Sequence, residues 1–262
     1  MIRFFRQIRQ TLLTDNKFSK YLLYVVGEVL LVVIGILIAL QVNNWNEKQK
    51  DRAKGFNYLE RILSDVKNDT AILNNKNNLA DRLSAQYLDM ILEMHKTQES
   101  KEDFIRLMNS VEFNVDELIL TDVAYSELVN TGNMSLIFNN ALKDQISDYY
   151  RNYDFISERV RELNQSNLNT IHASSVAAPT LKYWIKGYME TFSDEIFEEA
   201  EYMYNDSDWA FINNPRSLEF RLLEEAVYYY YAKQVLLKPM YGNLNAQAVA
   251  LIKSLQINLH DP

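Results

Sequence analysis

The sequence predicts an all-α protein: one N-terminal transmembrane helix followed by an antiparallel bundle of long helices. Three observations predict it. The 22-residue run Tyr21–Val42 holds a single charged side chain, Glu28. Glycine and proline are scarce, 6 and 4 among 262 residues, too few to punctuate a many-stranded sheet. Beyond the apolar run, large hydrophobic residues recur at spacings of three, four and their sums, the period of an amphipathic helix.

The apolar run, YLLYVVGEVLLVVIGILIALQV, spans about 33 Å as a helix, which matches the hydrocarbon thickness of a bilayer. Tyr21 and Tyr24 stand at one end and Trp45 just beyond the other, as an interfacial aromatic belt requires. A buried soluble helix rarely stays apolar on every face for this length. A cleaved signal peptide has a shorter apolar core and a small-residue cleavage site, whereas Gln41-Val42-Asn43-Asn44-Trp45 follows here. The transmembrane segment is therefore placed at 21–46.

Residues 1–20 read as a basic amphipathic interfacial segment. Phe5, Ile8 and Leu12 share one helical face with Phe4 beside it, and Arg3, Arg6, Gln7 and Gln10 occupy the others. Arg3, Phe4, Phe5, Arg6, Arg9 and Trp45 are the expected anchors at the membrane surface; the plainer alternative for the tail is a frayed basic end. Basic residues are balanced about the span, five before (Arg3, Arg6, Arg9, Lys17, Lys20) and five after (Lys48, Lys50, Arg52, Lys54, Arg61). The charge rule alone does not orient it. A short basic tail with no domain to translocate points to a cytoplasmic N-terminus in a bacterial inner membrane, with residues 47–262 periplasmic. The chain's net charge is −8; five basic side chains and Asp15 lie in residues 1–20, and Glu28 adds one acid, which leaves −11 for residues 43–262. A part this acidic is a poor binder of nucleic-acid phosphates.

Glu28 lies about 10 Å inside the span. An unpaired carboxylate there costs several kcal/mol, so it should be neutral, paired or facing water. At 100° per residue, Tyr24, Glu28, Leu31, Gly35 and Ala39 share one face, and Gly35 with Ala39 permits close approach of a second helix. That face predicts a homo-oligomer or a membrane-protein partner, with the bilayer around it. Glu28 has three readings: an acid hydrogen-bonded across a helix interface, a proton-coupling group, or a hydrated residue near the boundary.

The soluble helical domain is placed at 47–262. Phe56, Leu59, Ile62, Leu63, Val66, Leu73, Leu79, Leu83, Tyr87, Ile91 and Met94 predict one or two long helices between about 47 and 96, with Asn74, Asn75, Asn77 and Asn78 marking a bend. A polar turn is expected at 97–103 and helical patterns at 104–108 and 121–129, the latter ended by Thr131-Gly132-Asn133. Leu142 to Leu163 defines a helix to about Asn169. A break near 172–180, at Ala177-Ala178-Pro179, would separate two lobes, and further helices are expected at 193–204, 217–237 and 244–257. Tyr149, Tyr150, Tyr153 and the run Tyr228–Tyr231 offer core filling with hydroxyls at the rim, or an exposed contact surface.

Motifs that carry chemistry are missing from the sequence. There is no cysteine, and His95, His172 and His260 form no HExxH or ExxH pattern. Glu195, Glu198, Glu199 and Glu201 cluster as a solvated helix face would. No nucleotide-binding glycine loop or GxSxG occurs. The expectation is a non-catalytic protein without cofactors or metal.

The opening block, with FFRQIR at Phe4–Arg9, KYLLY at Lys20–Tyr24, GEVLLVVIGILIALQ at Gly27–Gln41 and NNWNE at Asn43–Glu47, resembles a family of uncharacterised single-pass inner-membrane proteins of Bacteroidota. The stretch Thr121–Tyr150 is similar to that family's central block. The resemblance implies an inner-membrane location and makes Glu28 a family feature; it implies no activity. The function expected from all this is a membrane-anchored interaction or assembly module. Its rivals are an accessory or proton-coupling subunit using Glu28, and an extracytoplasmic ligand-sensing domain.

Overall fold

The computed structural model describes residues 18–113, 115–177 and 209–260. Its regular elements are helical, with no strand among the described residues: α1 (Phe18–Met94), α2 (Lys101–Met108), α3 (Val123–Asn130), a 3-10 turn (Asn133–Leu136), α4 (Asn140–Ala177) and α5 (Leu218–His260). The chain divides into two units, residues 1–57 and 58–262. The all-α expectation holds.

Three expected boundaries differ. The asparagines at 74–78 do not bend α1, which is continuous from Phe18 to Met94. The core stripe runs through them unbroken, because Ile62, Val66, Asp69, Leu73, Ala80, Leu83 and Tyr87 are buried while the asparagines sit on the other faces. Asn74 is used laterally, its Oδ1 accepting from Asn245 Nδ2 at 2.9 Å. The helices expected at 217–237 and 244–257 are one helix, α5, with Pro239 inside it. Proline removes one ladder donor, a local cost of about 3 kcal/mol. Leu237, Tyr241, Leu244, Ala248, Leu251 and Leu255 bury an apolar stripe through the site, and that burial outweighs it. Finally, α2 starts within the expected polar turn. Ser100 caps it, its Oγ accepting from Asp103 N–H at 3.2 Å and donating to Asp103 Oδ2 at 2.9 Å. The helix expected at 193–204 and residues 178–180 of the break near 172–180 lie outside the described residues, while residues 172–177 of that break are helical, because α4 continues past Asn169 to Ala177.

Within residues 58–262, α5 runs antiparallel to α1, as the pairs Asn74–Asn245, Asp81–Lys238 and His95–Glu224 show. It also runs antiparallel to α4, through Asn139–Asn258, Asn152–Gln247 and Asn164–Lys233. Helices α1 and α4 are therefore parallel to each other. A parallel pair needs a return crossing, and the described residues between α2 and α3, 109–113 and 115–122, make it without regular structure. Tyr87 and Asp69 lie about 27 Å apart along α1 at helical rise, which an extended chain covers in about eight or nine residues. Residues 112–121 span that distance. Two apolar clusters fill the bundle. One is centred on Ile62, Leu73, Ile146, Tyr149, Tyr150, Leu244 and Leu251. The other is centred on Tyr87, Met94, Phe104, Phe220 and Tyr230, with Trp209 and Phe211.

Candidate functional site

Of the residues expected at the transmembrane interface, Glu28, Leu31, Gly35 and Ala39 are exposed and Tyr24 is half-buried. All five are on α1, so helical geometry places them together. A methyl group added at Gly35 would meet nothing within 4 Å. The whole stretch Glu28–Val42 is uncovered, and the helix is long and apolar enough to cross a membrane. Trp45 is exposed at its far end, and Asn43 Nδ2 donates to Glu47 Oε1 at 3.1 Å just past it. The anchors Arg3, Phe4, Phe5, Arg6 and Arg9 lie outside the described residues.

A second polar feature, which periodicity did not reveal, is the crossing strap at 112–121. An extended segment without a strand partner must find other partners for its backbone groups. Side chains supply them. Tyr87 hydroxyl donates to Glu112 O at 2.5 Å. Asn164 Nδ2 donates to Val115 O at 3.0 Å and Asp116 O at 3.2 Å. Lys76 Nζ donates to Glu117 O at 2.8 Å and pairs with Asp116 Oδ2 at 2.5 Å. Ser157 Oγ donates to Leu118 O at 3.3 Å. Leu120 N–H donates to the Tyr153 hydroxyl at 3.3 Å, and Thr121 N–H to Asp69 Oδ1 at 2.9 Å. Side chains of α1 and α4 thus replace a neighbouring strand.

The tyrosines at 149–153 are part of this ladder. Tyr149 and Tyr150 are fully buried; their hydroxyls donate to Asp69 Oδ2 at 2.8 Å and Thr121 O at 3.4 Å. Their hydroxyls therefore point inward, not to a rim. Burial raises the Asp69 carboxyl above its usual range, opposed by the Thr121 and Tyr149 bonds. Burial likewise raises Asp65, which accepts from Ala124 N–H. Lys233 is 3 % exposed, and its Nζ donates to Asn164 Oδ1 at 2.5 Å. Burial pushes its ammonium down to about 8, with Asp116 opposing and Lys76 reinforcing the shift. In the run 228–231, Tyr230 is buried against Tyr87 and Phe113, while Tyr228 and Tyr229 are exposed.

The geometry of these groups holds a backbone in place. Among the described residues no cluster of His, Asp and Glu could hold a metal ion. His95 Nε2 meets Glu224 Oε1 at 2.6 Å at an open groove of about 360 Å³ between α1 and α5, lined by Ile91, Leu218, Leu222 and Tyr228 together with the charged Arg221, Glu224 and Glu225. Glu195, Glu198, Glu199 and Glu201 lie outside the described residues. A model of a family of unknown function (DUF6090) matches residues 28–205, more than half of the chain, starting within the apolar stretch and taking in the strap and all of α4. No curated protein and no solved structure matches.

Proposed function

The chain belongs to this family of unknown function, DUF6090, and we propose that it is a non-catalytic, membrane-anchored assembly module that self-associates or docks on a membrane partner through its apolar helix. The observation that carries the reading is the exposed face Glu28, Leu31, Gly35 and Ala39, continued by Tyr24, on a helix with no side chain laid over it from Glu28 to Val42. In hydrocarbon such a face is unfavourable against lipid, because Glu28 needs a hydrogen-bond partner, and favourable against a second helix, because Gly35 and Ala39 let backbones approach. The location proposed is a bacterial inner membrane of the Bacteroidota type, with the N-terminus cytoplasmic and residues 47–262 periplasmic. The side-chain ladder under the strap supports a structural role for the helical domain, since its polar groups are consumed in holding the fold.

The test is the oligomeric state of the full chain purified from its own membranes in mild detergent, read by native mass spectrometry. A discrete oligomer or a stable hetero-complex is expected, lost in Gly35→Ile, where the added bulk keeps helices apart. A monomer in both forms would sink the proposal. Retention of the complex in Glu28→Gln is also expected, since the amide still donates a hydrogen bond; loss of a cellular phenotype in that variant with assembly intact would point instead to proton coupling.

A further inference from the structure

Helix α5 is apolar on its inward side and rich in apolar residues on its outward side, where Asn243 is also exposed. Its inward stripe fills the bundle, and on the opposite side Tyr228, Val235, Leu236, Val249 and Ile257 are all exposed, Ile257 at 65 %. Turning 100° per residue puts these positions within one outward arc, together with Ala246 and Ala250, which are also exposed. Between Glu225 and Asp261 the chain has no acid, and its charged residues are Lys233, Lys238 and Lys253. Lys233 is buried and Lys238 pairs with Asp81, so from Tyr228 to Ile257 Lys253 alone charges the outward arc, with the exposed Glu225 just before it. At the α2 end, Leu88 and Leu92 of α1 extend the exposed apolar surface across the groove beside Tyr228. A soluble helix that is apolar all round is normally covered, and monomers rarely expose apolar patches beyond a few hundred Å².

We propose that this outward face of α5 is a self-association surface, where a second copy of the chain packs its own α5. The charge pattern selects the occupant. The chain is acidic overall, at −8, which disfavours an anionic lipid surface or a nucleic acid. A basic protein would find no acid between Tyr228 and Ile257 to meet it, Glu224 and Glu225 standing only at the groove end. An identical face needs none: an isologous contact requires one self-complementary patch, and between Tyr228 and Ile257 this one has Lys253 as its one exposed charged residue and no acid. Residues 228–257 extend about 44 Å, and a strip about 10 Å wide offers roughly 450 Å². The adjoining Leu88 and Leu92 enlarge it, and the area per copy stays below the roughly 800 Å² of a standard interface, in the range of a weak, reversible contact. Ala246 and Ala250 allow the two helices to approach closely. The inference is separate from the membrane-helix face and does not require it.

The chain contains no cysteine, so single-cysteine variants report directly. The full-length protein carrying Ala246→Cys or Ala250→Cys, in mild detergent, is treated with an oxidant or a short bismaleimide and weighed intact. A species of twice the chain mass is expected from at least one of them. It should fall about tenfold or more when Leu236→Glu is added, because a symmetric interface then buries two carboxylates. It should persist in the Gly35→Ile background, which separates this face from the membrane-helix proposal. Phe155→Cys, exposed on α4, should give none. A monomer at every position with the thiols open to maleimide overturns the proposal. So does a thiol shielded without dimer formation, meaning that residues 178–208 or detergent covers the face, and so does an adduct to a different protein. Should the variants lose helicity, deuterium exchange of the unmodified chain at two concentrations decides: peptides across 228–257 must gain protection with concentration, and unchanged exchange overturns the proposal.

Discussion

Lys233 is the side chain with the clearest pH signature. Its ammonium has a folded-state pKa of about 8, against about 10.4 in an unfolded chain. Below pH 8 it is charged in both states, and the burial penalty is present in full. Between about 8 and 10.4 the folded chain has released the proton while the unfolded chain still holds it. Stability therefore rises with pH across that window. We expect the urea midpoint of the full chain, followed by circular dichroism, to climb between pH 8 and 10, and the climb to vanish in Lys233→Met. A midpoint that falls in both proteins alike would show that the lysine is not buried as a cation. Asp69 behaves in the opposite range. Its folded pKa is raised, so its ionisation opposes folding, and stability is gained as pH drops through the folded value. Asp69→Asn keeps the Oδ1 acceptor for Thr121 N–H and should change stability by less than about 1 kcal/mol. Asp69→Ala strands both Thr121 N–H and the buried Tyr149 hydroxyl and should lose about 3 kcal/mol. Equal losses in the two variants would mean that the charge itself, not the acceptor, is what the fold requires.

At the scale of elements, the strap at 112–121 depends on side chains of two helices, so it should open separately from them. Tyr153→Phe removes only the acceptor of Leu120 N–H, and Asn164→Ala removes the donor to two carbonyls and the partner of Lys233. Deuterium exchange of strap peptides should quicken in both, more in Asn164→Ala, while α4 and α5 peptides keep their protection. Quickening spread evenly over the bundle would show the strap to be inseparable from the core. The sequence made the long helices legible because burial recurs every three or four residues: Ile62, Val66 and Leu73, or Leu142, Ile146 and Tyr149. It misplaced their ends where propensity and packing disagree. The asparagines at 74–78 and Pro239 both argue locally for a break, and in both places a buried stripe runs past the offending residues. The strap was not legible at all. Its partners lie 25 to 52 residues away, and no local pattern encodes a carbonyl held by Asn164 or Lys76. The buried lysine carried a weaker signal: Lys233 falls three residues after Tyr230 and four before Leu237, on the inward stripe of α5.

At the scale of the whole molecule, the apolar run was the most legible feature and also the one that constrains the rest most strongly. From Val29 to Val42 every residue is exposed. An uncovered apolar strip of this length far exceeds the few hundred Å² that a monomer tolerates in water, so the chain has to place it in lipid or against another protein. The two choices are separable by charge. A central arginine costs about 2.5–3.5 kcal/mol in a bilayer, so Ile34→Arg with Leu37→Arg should oppose insertion by roughly 6 kcal/mol, while Ile34→Leu with Leu37→Ile should change nothing. We expect the unmodified chain and the conservative pair to stay with membranes through an alkaline carbonate wash, and the arginine pair to leave them or be degraded. The helical domain of the released protein should keep its circular dichroism, because among the described residues its two apolar clusters draw on Tyr58 and later positions. If the unmodified chain washes off, the run is covered by protein and not by lipid, and the exposed face bearing Glu28 and Gly35 then becomes a soluble docking surface.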